Sequence, residues 1–90
     1  MIVKVTDQHI KKGRKNNCYS CPIALALKEA RPDVSWVVDE GHIHHSQLTA
    51  LHGTVRGYIV MPPAVKKFVC EFDTGFQNLA PFEFELGLSI

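Results

Sequence analysis

No run of about eighteen consecutive apolar residues occurs in this chain, so nothing in it reads as a membrane-spanning helix. A phosphate-cradling glycine-rich loop is missing, because Gly13 stands alone in its segment. So are a Gly-x-Ser-x-Gly elbow and a His-Glu-x-x-His helix. These absences remove the commonest nucleotide-binding, hydrolase and metalloprotease readings. Cysteine is sparse and odd in number, with 3 residues, unlike the paired sets of small secreted scaffolds. That points to reduced thiols in a cytoplasmic protein. Charge is scarce too: 21% of residues are charged and the net charge is +1, which argues against a dedicated nucleic-acid coat.

What is present suits a folded domain. With 46% hydrophobic residues the chain is too apolar for intrinsic disorder, and 90 residues suit a single domain over residues 1–90. A core of Val, Ile, Leu, Phe and Trp36 is within reach at this size. The expected stability is on the order of 5 kcal/mol, near the low end for native domains, and a homodimer would add to it. Charge is also unevenly spread. Lys11, Lys12, Arg14 and Lys15 crowd one segment, whereas Glu71, Asp73, Glu83 and Glu85 are the only charges after Lys67.

Periodicity and punctuation predict the elements. Ile2, Val3 and Val5 make a short strand, in which Lys4 and then Asp7 break the apolar run that a signal peptide would need. Thr6 suits a helix N-cap, Asp7 the positive end of the helix dipole and Gly13 the stop, giving a helix from Asp7 to Lys12. Residues Arg14 to Tyr19 form a loop. A second helix begins near Ser20 or Cys21, because Pro22 is tolerated only in a first turn, and ends at Pro32. Ile23, Ala26, Leu27 and Ala30 form its buried stripe, widened by Ala24 and Leu25.

Val34, Trp36 and Val38 share one face of a strand over Val34–Asp39, and Glu40-Gly41 turns the chain into a return strand over His42–His45. From Ser46 to Val55 the pattern specifies no element. Gly57 to Met61 reads as a strand. After Pro62-Pro63 a helix places Val65, Phe68, Val69 and Phe72 at i, i+3, i+4 and i+7, and Asp73-Thr74-Gly75 closes it. Phe82, Phe84 and Leu86 alternate with Glu83 and Glu85 in a charged edge strand. The order β-α-α-β-β-β-α-β offers too few crossovers for a parallel doubly wound sheet. It predicts an α+β fold, a small mainly antiparallel sheet packed against two or three short helices.

The segments VTDQHIKKG, NCYSCPIALALKEA, PPAVKKFVCEFDTG and PFEFEL together resemble a group of small uncharacterised proteins of bacteriophages and bacteria. These share a Thr-x-x-His-Ile opening, a Cys-Pro-x-Ala-x-Ala helix and a Pro-Phe-Glu-Phe strand. The resemblance covers most of the chain and is weakest from Gly41 to Arg56. It carries over no functional residue. It implies a phage or mobile-element gene expressed in a bacterial cytosol, where short accessory proteins often bind and block host proteins, defence systems included.

Four groups of residues invite a chemical reading. Cys18-Tyr19-Ser20-Cys21 opens a helix, where the dipole and nearby Arg14 and Lys15 would stabilise a thiolate. A thioredoxin-type motif, however, follows a strand directly, and here a helix and a basic loop intervene. The same pair is half of a zinc site whose other half would come from His42, His44, His45 or His52. The competing reading packs Cys21 and Cys18 as small buried hydrophobes, with Cys70 beside the core as well. His42-Ile43-His44-His45, in which His42 and His44 share a strand face, suggests a metal or catalytic cluster, yet only Asp39 and Glu40 could serve it, and solvent-facing histidines around a buried Ile43, by ordinary strand alternation, explain it better. Lys11, Lys12, Arg14 and Lys15 form the candidate partner-binding site, for an acidic protein surface or a phosphate backbone, with Tyr19 the only aromatic nearby. The expectation is a non-enzymatic interaction protein without a cofactor that binds a host macromolecule. The alternative is a nucleic-acid-binding or zinc-stabilised module using the loop from Arg14 to Cys21.

Overall fold

The computed structural model describes residues 1–75 and 78–87. Its elements follow the predicted order: β1 (Ile2–Val5), α1 (Asp7–Lys12), α2 (Pro22–Ala30), β2 (Ser35–Val38), β3 (His42–Thr49), β4 (Gly53–Val60), α3 (Pro63–Asp73) and β5 (Phe82–Glu85). The α+β class is as expected, and every strand pairing is antiparallel. The strands divide into two sheets, β1-β5 and β2-β3-β4. None of the helices among the described residues is long and apolar enough to cross a membrane.

One cluster of buried side chains joins the two sheets to the helices. From β1 and β5 come Val3, Val5 and Phe84; from α2, Ile23, Ala24, Ala26 and Leu27; from β2 and β3, Trp36, Val38 and Ile43. The helix α3 adds Val65, Phe68, Val69 and Phe72, the stripe that its spacing predicts. Burial of such side chains is worth roughly 1.5–3 kcal/mol each before the entropy of ordering them is subtracted. Trp36 is 2% exposed and still satisfies its indole, which donates to the carbonyl of Arg31 at 3.1 Å.

Local chemistry sets the helix ends. The Thr6 hydroxyl accepts from the His9 amide at 3.5 Å while His9 Nδ1 accepts from the Thr6 amide at 3.0 Å, a reciprocal capping box with histidine in the usual Glu/Gln place. Cys21 caps α2 through its sulfur, which accepts from the Ala24 amide at 3.4 Å, and Pro22 takes the first helical position. Arg31 ends α2 because the residue before a proline is pushed out of the helical region.

Three sequence expectations change. The segment from Ser46 to Val55, to which no element was assigned, forms the outer half of a long hairpin, with Thr49 paired to Gly53 across residues 50–52. The molecule is elongated, measuring 45 × 22 × 21 Å. Cys70 is exposed rather than core-adjacent, because it lies about 100° around α3 from Val69, past the edge of the buried stripe. His45 is not a solvent-facing histidine. It shares the inner face with Ile43 and lies edge-on to Trp36, with ring centroids 6.3 Å apart.

Candidate interaction surfaces

The four cations of the basic segment are all exposed, and among the described residues none of them forms an ion pair. Lys11 and Lys12 sit in the last turn of α1, where the helix dipole favours positive charge, so only Arg14 and Lys15 belong to the loop proper. That loop is held rather than loose. Arg14 donates to the Ser20 carbonyl at 2.9 Å, the Asn17 side chain accepts from the amides of Tyr19 and Ser20, and the Asn16 amide donates to the Asp73 carboxylate at 2.9 Å. Asn16 takes the left-handed conformation (φ 53°) that this turn requires, which asparagine tolerates well. The Cys18 carbonyl accepts from Val38 at 2.9 Å, so the loop covers the outer edge of β2.

Behind the loop lies a cleft of about 270 Å³ lined by Asn16, Cys18, Cys21, Asp39, Glu40 and Asp73 among others. Burial pushes the Cys21 thiol up from its ordinary value, the reverse of what a redox-active cysteine needs. The candidate zinc halves are not brought together. Among the described residues no three His, Cys, Asp or Glu side chains are placed to hold a metal ion. Cys18 and Cys21 face the cleft, His42 and His44 lie on the outer face of the second sheet, and His52 is in the hairpin turn.

Strand alternation sorts the histidines as the sequence implies for His42 and His44, which share the outer face. There the His44 ring is bonded to Asp39 at 2.7 Å, and His42 lies 3.7 Å from the same carboxylate. The Gly41 amide first, then the His44 ring, hold the Asp39 carboxyl at about 2. Tyr58 packs edge-on against His42 with centroids 5.3 Å apart and is 64% exposed. An Asp–His pair is the orienting half of a catalytic set. Among the described residues, however, no hydroxyl or thiol is hydrogen-bonded to either ring, and both partners are open to solvent. Val37 and Val60 extend this uncovered face, giving it a mixed aromatic and aliphatic character.

His9 is the buried polar residue whose role the sequence did not reveal. It is 6% exposed, and with Nδ1 accepting from Thr6, its Nε2 donates to Glu29 at 2.8 Å, locking α1 onto α2. The Thr-x-x-His spacing carried half of that signal; the partner 20 residues away carried no local one.

On the inner face, His45 Nδ1 is buried without a hydrogen-bond partner, and burial, then the neighbouring His44, lowers its pKa from 6.5. A histidine depressed in the folded state binds a proton more readily when unfolded. Its contribution to stability is therefore complete above about pH 6.5 and is lost as the pH falls below that. Asp39, held at about 2 against an ordinary 3.8, adds a second loss between about pH 4 and 2. Melting temperature against pH should fall in these two steps, and His45→Gln should remove the upper one while leaving the lower. A variant retaining the full upper step would place it on another histidine.

The chain matches no protein-family model, no curated protein and no solved structure in comparisons with known proteins.

Proposed function

We propose that this chain is a small non-enzymatic interaction protein of phage or mobile-element type. It acts in the cytoplasm of a bacterial host by binding, and thereby inhibiting, a host macromolecule such as a defence-system component. The observation that carries this reading is the basic segment. Four exposed cations, Lys11, Lys12, Arg14 and Lys15, lie without ion-pair partners among the described residues on a helix end and a hydrogen-bonded loop. Holding charges on a rigid support lowers the ordering entropy that a partner would otherwise have to overcome. Electrostatic attraction of an acidic protein surface raises the association rate and selects against basic partners. The lack of a nucleophile bonded to the Asp39–His44 pair supports binding over catalysis.

Nucleic acid is the second reading, favoured by Tyr19, which is 60% exposed at the end of the same loop and offers a stacking face. Affinity purification from bacterial lysate with nuclease treatment separates the two, since a protein partner survives nuclease. Reversing all four cations to glutamate should leave folding nearly intact, because exposed charges contribute about 0–1 kcal/mol each. It should abolish capture of the partner. Binding by the unaltered chain should weaken as salt rises, shallowly for a protein and with a logarithmic slope of roughly −0.9 per neutralised phosphate for duplex DNA. Unchanged affinity and salt response in the reversed variant would move the interface to the outer face around Tyr58.

A further inference from the structure

β4 is the last strand of its sheet and, at 8 residues, the longest strand with an unpaired edge among the described residues. Met61 donates to the Gly41 carbonyl at 3.0 Å, and the β3–β4 register runs on from that pair. Hydrogen-bonded and non-bonded pairs alternate along an antiparallel ladder. The odd-numbered residues of β4 therefore direct their backbone groups to β3, whereas Thr54, Arg56, Tyr58 and Val60 direct theirs outward. Protein edges are usually blunted by shortness, lysine, proline or a bulge. β4 is long, holds no proline or lysine, and carries Arg56 as its single charge.

We propose that β4 pairs antiparallel with β4 of a second copy about a two-fold axis through Gly57, joining two three-stranded sheets into one continuous sheet. This register alone uses all four outward residues. Shifting the axis to Arg56 sets that cation against its own copy. Shifting it to Tyr58 brings Pro62, which has no N–H, opposite Thr54. With the axis at Gly57, Arg56 lies across from Tyr58 of the second copy, a cation–π pair, and Thr54 lies across from Val60. On the inner face, half-buried Val55 meets Ile59 of the second copy. Gly57 meets Gly57 in a non-bonded pair, the type in which the two backbones approach most closely, and glycine accommodates that approach.

The pairing stands apart from the basic segment, which lies at the opposite edge of the sheet over β2. It goes beyond the proposed function by setting two basic segments at the two ends of one sheet, so that a partner with two acidic sites is held bivalently.

Sedimentation equilibrium of the full chain tests it, with a mass of twice 10.1 kDa expected at high micromolar concentration. Arg56→Pro blocks the outer edge without removing a bond to β3, because the Arg56 N–H points away from β3. Dissociation should become easier by about 100-fold or more, with the far-ultraviolet dichroism retained. Because that variant could itself fail to fold, a second measurement uses the unaltered chain. An isotope-filtered contact between Val55 Hα and Ile59 Hα of the second copy is expected in a dimer mixed from labelled and unlabelled protein. A monomer at all concentrations overturns the proposal, as does a dimer without the Val55–Ile59 contact. So does binding by β4 of an extended strand from another protein while the chain alone stays monomeric.

Discussion

Truncating Phe68 to alanine is expected to destabilise the protein by about 3–5 kcal/mol, enough at the upper end to unfold about half of it at room temperature. Phe68 is 6% exposed and lies at the centre of an aromatic row. Its ring is 6.3 Å from Phe72 on the same helix and 4.9 Å from Phe82 on β5. Phe82 in turn lies 6.0 Å from Phe84, which is buried beneath the first sheet. Removing the ring takes away the transfer free energy of a benzyl group and leaves a cavity between α3 and β5. Pro62 at the N-cap of α3 makes no side-chain hydrogen bond, so packing of the buried stripe carries the helix. Urea denaturation with an unchanged slope would measure the loss, with Lys67→Ala on the exposed side of the helix expected within about 0.5 kcal/mol of the parent. A loss below about 1 kcal/mol for Phe68→Ala would mean that another face of α3 carries the packing.

The same helix shows why part of the fold is legible in the sequence. Val65, Phe68, Val69 and Phe72 repeat at the helical period because one side faces a core and the other faces water. The outer half of the β3–β4 hairpin has no such contrast. Leu48 is 80% exposed on one strand, Thr54 and Arg56 are exposed on the other, and no core beneath the arm imposes a two-residue alternation. Its strands are held by backbone pairing, which side-chain pattern does not report. The candidate surfaces divide in the same way. Lys11, Lys12, Arg14 and Lys15 stand out by local density, and their exposure is ordinary for lysine and arginine. The bond that fixes their loop, from Asn16 to Asp73, joins positions 57 apart and leaves no trace in either neighbourhood. Cys18 and Cys21 look like half of a ligand set in sequence. In the fold they face a cleft while the histidines lie on another surface.

Gly13→Ala is expected to cost about 1–3 kcal/mol, against the gain that backbone considerations alone would give. The sequence places Gly13 as the stop of α1, a position where glycine commonly serves by its conformational freedom. In the fold its backbone is ordinary, with φ −67° and ψ 151°, and its amide caps the helix by donating to the His9 carbonyl at 2.8 Å. Alanine adopts those angles without strain, and at such a position it normally stabilises by about 0.4–1 kcal/mol through the unfolded chain. What forbids it is space. A Cβ on residue 13 would lie 2.6 Å from Pro22 Cδ and 2.7 Å from the Pro22 nitrogen, both atoms of a buried, rigid ring at the start of α2. Relief would require α1 to move off α2, loosening the His9–Glu29 bond that joins them. The sign of the stability change therefore decides between the two accounts. The double variant with Pro22→Ala refines it, because deleting the ring removes the closest contacts and should recover part of the loss as a favourable coupling. If Gly13→Ala is neutral or stabilising in chemical denaturation, the close seat of the first loop on Pro22 is wrong, and Gly13 serves only as a helix stop.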